Sequence, residues 1–262
     1  MMHILVTNDD GVTSPGLLAL AQELRKLGRV TVCAPDRNWS ASGHVKTLER
    51  PLRVHEVHLA DGSPAFSTDG APSDCVALPL MGLVKEKIDL VVSGINPNCN
   101  VGHDVTYSGT VMAAMEGVIM GNVPGFAVSL DMPDPRPDYP DFSTAAHAAR
   151  EVIAKAMHNG MPDGVLMNIN VPYLPYGKLK GFMLTRQGLR IYRDVLEKRL
   201  DPRGRPYYWI GGEAPTGGLE NGTDFGALKA GFVSITPLQL YLTDHESLVS
   251  MQTWDWTSTA EE

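Results

Sequence analysis

Several features that would announce a function are missing from these 262 residues. Cys33, Cys75 and Cys99 are the only cysteines, widely spaced and without a CxxC pair. That favours a reducing compartment and no structural zinc. The eight histidines show no metal-ligand spacing. There is no GxxxxGK[ST], which rules out a P-loop, and no GxGxxG follows the first apolar run, so a dinucleotide site gains no support. No apolar run is long enough to span a bilayer and no charged-then-apolar leader opens the chain, so a cytoplasmic protein with no membrane partner is expected. Basic residues are the minority, 22 against 30 acidic for a net charge of −8. This argues against a stable nucleic-acid complex, yet a bound cation would invert the local field and admit a small anion. Internal repeats and low-complexity segments are absent as well.

What is present fits a soluble enzyme, with 43% hydrophobic and 20% charged residues. The length allows a sizeable core in one domain. The first half alternates strand and helix signals. Ile4–Thr7 predicts a buried strand. A helix is expected to follow, with Ser14 as N-cap, Pro15 at its first position, Leu17, Leu20 and Leu24 at helical spacing, and Gly28 closing it. Val30–Ala34, Leu52–Val57, Asp89–Ser93, Phe126–Leu130 and Val165–Ile169 predict further strands. Pro72–Val84, Ser108–Met120 and Ser143–His158 predict helices. Such alternation implies an α/β fold, Rossmann-like, with a mostly parallel sheet and helices on both faces.

Beyond about residue 185 the pattern changes. Leu189 to Ile210 predicts two strands joined at Asp201–Arg205, a protruding β-hairpin. Tyr207, Tyr208 and Trp209 put more aromatic surface on this arm than a hairpin buries alone, so it either contacts another subunit or folds back on its own domain. Phe232–Pro237 is expected to end the ordered core, and a C-terminal arm carrying Trp254 and Trp256 is expected to pack on this subunit or a neighbour. The expectation is therefore one domain over 1–262: a core to about 185, a hairpin arm over about 186–215, and a return with a terminal arm over about 216–262.

Three loops are expected to meet above the strand ends, where open α/β sheets place ligands. The first is Asn8-Asp9-Asp10-Gly11. Two neighbouring carboxylates repel unless a cation or a shared proton relieves them, and a hard divalent ion is the usual relief; the alternative is a solvated turn. The second loop, Pro35 to His44, brings small and hydroxyl residues at Ser40, Ser42 and Gly43, which let backbone approach an anion. In the third, Ser93 to Thr110, Asn96, Asn98 and Asn100 offer amide oxygens or donors. Ser108-Gly109-Thr110 opens a helix, where free N–H groups attract anions. His44 and His103 lie on these loops as possible phosphate or base contacts. Thr7–Val12 is superficially similar to the DxDG[TV] signature of haloacid-dehalogenase phosphatases, but that register puts Asn8 where an aspartate nucleophile is required.

Longer motifs resemble the SurE survival-protein family of nucleotidases. They are Val6–Gly11, Ala34–Asn38 with Ser40, Gly70–Val76, Ser93–Asn96 through Asp104, Tyr107–Val111, Asn168–Pro172, Thr223-Asp224 and Ser234–Leu238. The resemblance runs in order along nearly the whole chain. It implies a metal-dependent phosphomonoesterase acting on nucleoside monophosphates, with polyphosphate, another small phosphomonoester or a non-hydrolysing nucleotide sensor as rivals. It also implies one divalent ion, Mg²⁺ or Mn²⁺, held by Asp9, Asp10, Ser40 and Asn96. Asp9, Asp10, Asn96 and Asp104 would then be catalytic, Asp104 as acid or base. Asn8, Ser40, Ser42, Gly43, Asn100, Ser108, Gly109 and Thr110 would bind substrate phosphate. The resemblance further implies a homodimer or homotetramer built with the hairpin and the C-terminal arm.

The chain departs from the family pattern at two places. Asn98-Cys99 replaces the usual Gly-Pro, and Trp39 replaces a basic residue beside Ser40, where its ring is suited to stacking on a base. These changes bear on substrate preference more than on metal binding.

Overall fold

The computed structural model describes residues 1–218 and 220–256. Parts of the expected C-terminal arm, at 219 and 257–262, lie outside the described residues. The strands are β1 (His3–Thr7), β2 (Arg29–Pro35), β3 (Val54–His58), β4 (Pro64–Thr68), β5 (Leu90–Asn96), β6 (Gly125–Asp131), β7 (Val165–Pro172), β8 (Phe182–Leu184), β9 (Arg190–Leu200), β10 (Pro206–Gly217) and β11 (Val233–Gln239). The helices are α1 (Pro15–Leu24), α2 (Pro72–Leu78), α3 (Gly109–Gly121), α4 (Ser143–Asn159), α5 (Asp224–Ala230) and α6 (His245–Met251).

Nine strands form one sheet in the order β3-β4-β2-β1-β5-β6-β7-β11-β8. The six from β4 to β7 run parallel. Strand β3 is antiparallel at one edge, and β11 runs antiparallel beside β7. Val6 of β1 lies opposite Val32 of β2 on one side and Val92 of β5 on the other. Chain order moves outward from β1 to β2, then returns to β5 on the opposite side. The carboxyl ends of β1 and β5 are therefore the topological switch point, the crevice where such sheets bind ligands.

Apolar periodicity decides which face each helix covers. Leu17, Leu20, Ala21 and Leu24 of α1 are fully buried and join Ala145, Ala149 and Ile153 of α4 against one face of the sheet. Each such leucine contributes about 2 kcal/mol. Cys75 and Val76 of α2 pack with Ala113 of α3 against Leu5 and Val91 on the other face. Lower down, Val111, Ala114 and Met115 of α3 meet Ala127 and Leu166. Helices thus cover both faces, as the alternation implied.

Some local expectations change. Ser14 takes the extended cap conformation, but its hydroxyl makes no capping bond. The helix α1 ends at Leu24, short of Gly28, through an Arg25 cap. Regular α-helix after Pro72 stops at Leu78 and widens into a π turn over Pro79–Leu83, because Pro79 has no N–H to give and crowds the preceding turn. Strand β5 runs on through Asn96, so this residue ends a strand instead of lying in a loop. The hairpin β9–β10 forms with its turn at 201–205 and leaves Tyr208 and Trp209 more than half exposed. Past β11 the chain forms α6, which buries no residue; Trp254 and Trp256 stack on each other with centroids 5.5 Å apart and remain exposed.

Candidate functional site

The turn after β1 is built by Asn8. Its amide donates to the Gly11 carbonyl at 3.0 Å and accepts from the Gly11 N–H at 3.2 Å. This closes the chain sharply and projects Asp9 and Asp10 beyond the strand. Asn8 is fully buried and its side chain serves the turn.

Asp9 is buried against the first turn of α3, where its Oδ1 accepts the Thr110 hydroxyl proton at 2.6 Å. Burial pushes its carboxyl above the usual range, opposed by that hydroxyl and by the Thr110 backbone. Gly109 makes the close approach possible: a Cβ there would stand 2.9 Å from the Asp9 Cβ and 2.8 Å from the Ser42 Oγ. Asp10 is pushed up to about 7, first by burial and then by the charge of Asp9, with the Arg136 guanidinium opposing. Its Oδ2 is buried without a hydrogen-bond partner, as are the Ser42 Oγ and the Trp39 Nε1 nearby on the second loop.

That second loop is tied to both others. The Trp39 N–H donates to the Asp9 carbonyl at 2.7 Å, and the Gly43 N–H donates to the Tyr107 carbonyl at 2.9 Å. Between these bonds lies Ser40, exposed, with its N–H donating to Asn38 Oδ1 at 2.6 Å. Farther along, Glu116, buried on α3, accepts from His44 Nε2 and Lys46 Nζ, each at 2.7 Å. His44 is therefore engaged in anchoring the loop to α3.

The third loop is held from below. The Asn100 N–H donates to Asn170 Oδ1 at 2.8 Å, and its carbonyl accepts from Asn168 and Asn170. Its side-chain amide donates to Ser129 Oγ at 2.8 Å, so Asn100 works as the anchor of this loop. Asn96 donates to the Asn98 carbonyl at 2.6 Å. Gly102 is clamped by Asp224, which accepts its N–H at 2.7 Å and that of Gly188 at 2.8 Å. Asp104 and the exposed His103 ride on the 3₁₀ turn Gly102–Thr106. Ser108 caps α3, its Oγ accepting from the Val111 N–H at 3.1 Å.

The geometry thus joins Asp9, Ser42, Gly43, Gly109 and Thr110 through contacts among the three loops, with Asp10 and Ser40 next in chain. No hydrogen bond among the described residues brings Asp104 to the acidic pair. Sequence reasoning assigned no site role to Arg136, Glu116 or Lys46, and the Asn168–Asn170 pair stood out only as part of a family motif, without a role. Only the last left a signal, since residues two apart on a strand share a face.

The donor set suits a hard cation. As ligands, Asp9, Asp10, Ser40 and Asn96 would offer only oxygen atoms, with no imidazole or thiolate. No group of three histidine, cysteine or acidic side chains able to hold a metal occurs among the described residues. Two adjacent carboxylates pushed upward, one with an orphaned buried oxygen, are the arrangement that a divalent ion relieves.

A family model described as Survival protein SurE matches residues 4–194. The 5′-nucleotidase SurE of Herpetosiphon aurantiacus is 54% identical over 257 residues, covering 98% of this chain and 100% of the relative. That of Chloroflexus aggregans is 51% identical over 255 residues, covering 97% and 100%. Among solved structures, the SurE protein from Aquifex aeolicus is 40% identical with a TM-score of 0.81, covering 95% of this chain and 98% of that one.

Proposed function

The chain belongs to the SurE survival-protein family, and from that premise we propose that it is a metal-dependent phosphomonoesterase hydrolysing nucleoside monophosphates to nucleoside and phosphate. The observation that carries this reading is the Asp9–Asp10 pair at the switch point: Asp9 is raised by burial and bonded to the start of α3, and Asp10, half-buried, is raised by burial and by the charge of Asp9. The relatives named 5′-nucleotidase supply the substrate class.

In this reading Asp9, Asp10, Ser40 and Asn96 hold one divalent ion, Mg²⁺ or Mn²⁺. Such an ion supplies a Lewis acid for a phosphoryl oxygen and lowers the pKa of a bound water. The chain's own residues do the rest. Thr110 fixes the Asp9 carboxylate through its hydroxyl, while Gly109 leaves room for that contact. The Ser108–Thr110 helix start favours negative charge through its N–H groups and dipole. Ser42 and Gly43 line the same crevice from the second loop. Asp104 is the proposed acid or base for the leaving group, and Asp104→Asn is expected to lower kcat about 100-fold. Full turnover by that variant would remove Asp104 from the role.

The Asp10 carboxyl gives a pH prediction. Raised from its ordinary 3.8 to about 7, it keeps its proton in the metal-free protein over that window. The unfolded chain has lost the proton there, so metal-free stability falls as pH rises from about 4 to about 7. Metal binding expels the proton. Calorimetry with Mn²⁺ near pH 6, in two buffers of different ionisation enthalpy, is expected to show proton release that fades above pH 8. Binding that is independent of buffer at pH 6 would contradict it.

Assembly into a homodimer or homotetramer is proposed from the aromatic surface left exposed on β10 and after α6, which light scattering in solution tests. No helix among the described residues is long and apolar enough to cross a membrane. The substrate assignment is tested by phosphate release from a panel of nucleoside monophosphates, short polyphosphate and p-nitrophenyl phosphate. Nucleotides are expected to lead; preferential release from polyphosphate would overturn the choice of substrate.

A further inference from the structure

The connection from β6 to α4, residues 132–142, is rich in proline and aspartate and shows no sequence signal for a site. It delivers one cation to the crevice. Arg136 donates from Nη2 to Asn98 Oδ1 at 2.9 Å. The Asn98 carbonyl in turn accepts from Asn96 Nδ2 at 2.6 Å. A bonded path therefore runs from the guanidinium to Asn96, the last residue of β5. The field of Arg136 also reaches Asp10, where it opposes the upward push of burial and of Asp9.

We propose that Arg136 is a substrate-binding residue that receives the phosphoryl group above Asp9 and Asp10, and that Asn98 is the positioning residue that holds it there. This rests on the phosphomonoesterase reading and adds to it the group that meets the substrate's charge. A doubly charged phosphate entering beside two aspartates needs positive charge on its outer side as well as beneath it. Arginine suits that position, because its planar fork offers five donors and matches phosphate oxygens two at a time. Among the described residues the bond to Asn98 is the one hydrogen bond Arg136 makes, from Nη2 alone. Most of its donors therefore stay available.

The side chain at position 98 is what makes the contact. Glycine at 98 has nothing with which to hold Arg136. Asn98 has an amide oxygen, and it is the acceptor that Arg136 uses.

Kinetics of four proteins test the proposal: the unaltered chain, Arg136→Gln, Asn98→Gly and the double variant, each with Mn²⁺ and adenosine 5′-monophosphate. Turnover by the unaltered chain is measured first, so failure of the phosphatase reading shows there and not in the variants. Arg136→Gln is expected to raise KM about 10- to 100-fold, and to weaken inhibition by inorganic phosphate by the same factor, with kcat changed less. Arg136→Lys is expected to restore part of the loss. Asn98→Gly is expected to move both constants in the same direction by less, and to add nothing to Arg136→Gln. Arg136 is exposed, so these proteins should fold. Unchanged KM and phosphate inhibition in Arg136→Gln would overturn the role of the guanidinium. An Asn98→Gly variant that behaves as the unaltered chain, or that adds fully to Arg136→Gln, would overturn the tether.

Discussion

Asp9→Asn is expected to cut metal-dependent turnover by at least about a thousandfold while the fold stays intact. The amide has the shape of the carboxylate, and its oxygen still accepts from the Thr110 hydroxyl, so the contact with α3 survives. What disappears is one of two charges available to a cation. Stability should move the other way. Asp9 is buried, and its charge is the second cause that holds Asp10 up at about 7. Removing it lets Asp10 ionise at lower pH and relieves the repulsion that burdens the metal-free protein above pH 7. Thermal melting in chelator at pH 8 should give the variant a Tm equal to or above that of the unaltered chain. Unchanged turnover would sink the metal assignment; a collapsed Tm would show that Asp9 is chiefly a structural group.

The largest stability effect is expected at Gly94. It sits in β5 at φ +139°, a region that residues with a Cβ rarely adopt. A Cβ at this position would stand 2.4 Å from the Val128 carbonyl oxygen of the neighbouring strand. The register of β5 against β6 shifts between Ser93 and Asn96, so Gly94 lies within the irregularity that leads to Asn96. Gly94→Ala combines backbone strain with a clash against main chain that cannot rotate away, and should cost about 3–5 kcal/mol. The Tm should fall by about 10 °C or more. Gly62→Ala is the control: φ is +80° there too, but nothing lies within 4 Å of the added carbon, so about 1 kcal/mol is expected. Equal costs at the two positions would show that close approach to Val128 is not the cause.

The sequence was most legible where a local signal decides structure. The apolar runs of β1 and β5 are central strands buried on both faces, as β2 is from Val32 onward, and continuous hydrophobicity is the mark of that position. Strand β4 escaped notice because Pro64-Ala65-Phe66-Ser67-Thr68 is short, starts with proline and is half polar. It exists because β2 and β3 pair with it, which is a tertiary cause. Helix α5 has only seven residues and is set by the Thr223 cap and by Asp224, whose partners are far away in sequence.

The same division runs through the site. The paired aspartates and the Ser108–Thr110 helix start are visible as adjacent letters. The contacts that arrange them are not. Arg136 meets Asn98 across 38 residues, His44 meets Glu116 across 72, and Gly102 meets Asp224 across 122. No spacing rule in a single sequence links such positions, because the fold alone brings them together. Asn100 illustrates the consequence: read in its loop it is a phosphate donor, whereas its contacts with Ser129, Asn168 and Asn170 make it a fastening.

Whether the acidic pair works through a metal on a nucleotide is tested most directly by phosphate release from a nucleoside 5′-monophosphate. Chelator-stripped protein is followed as Mg²⁺ or Mn²⁺ is returned stepwise. No release without metal, and recovery that saturates as metal is added, is the predicted result. Full turnover in excess chelator would contradict it.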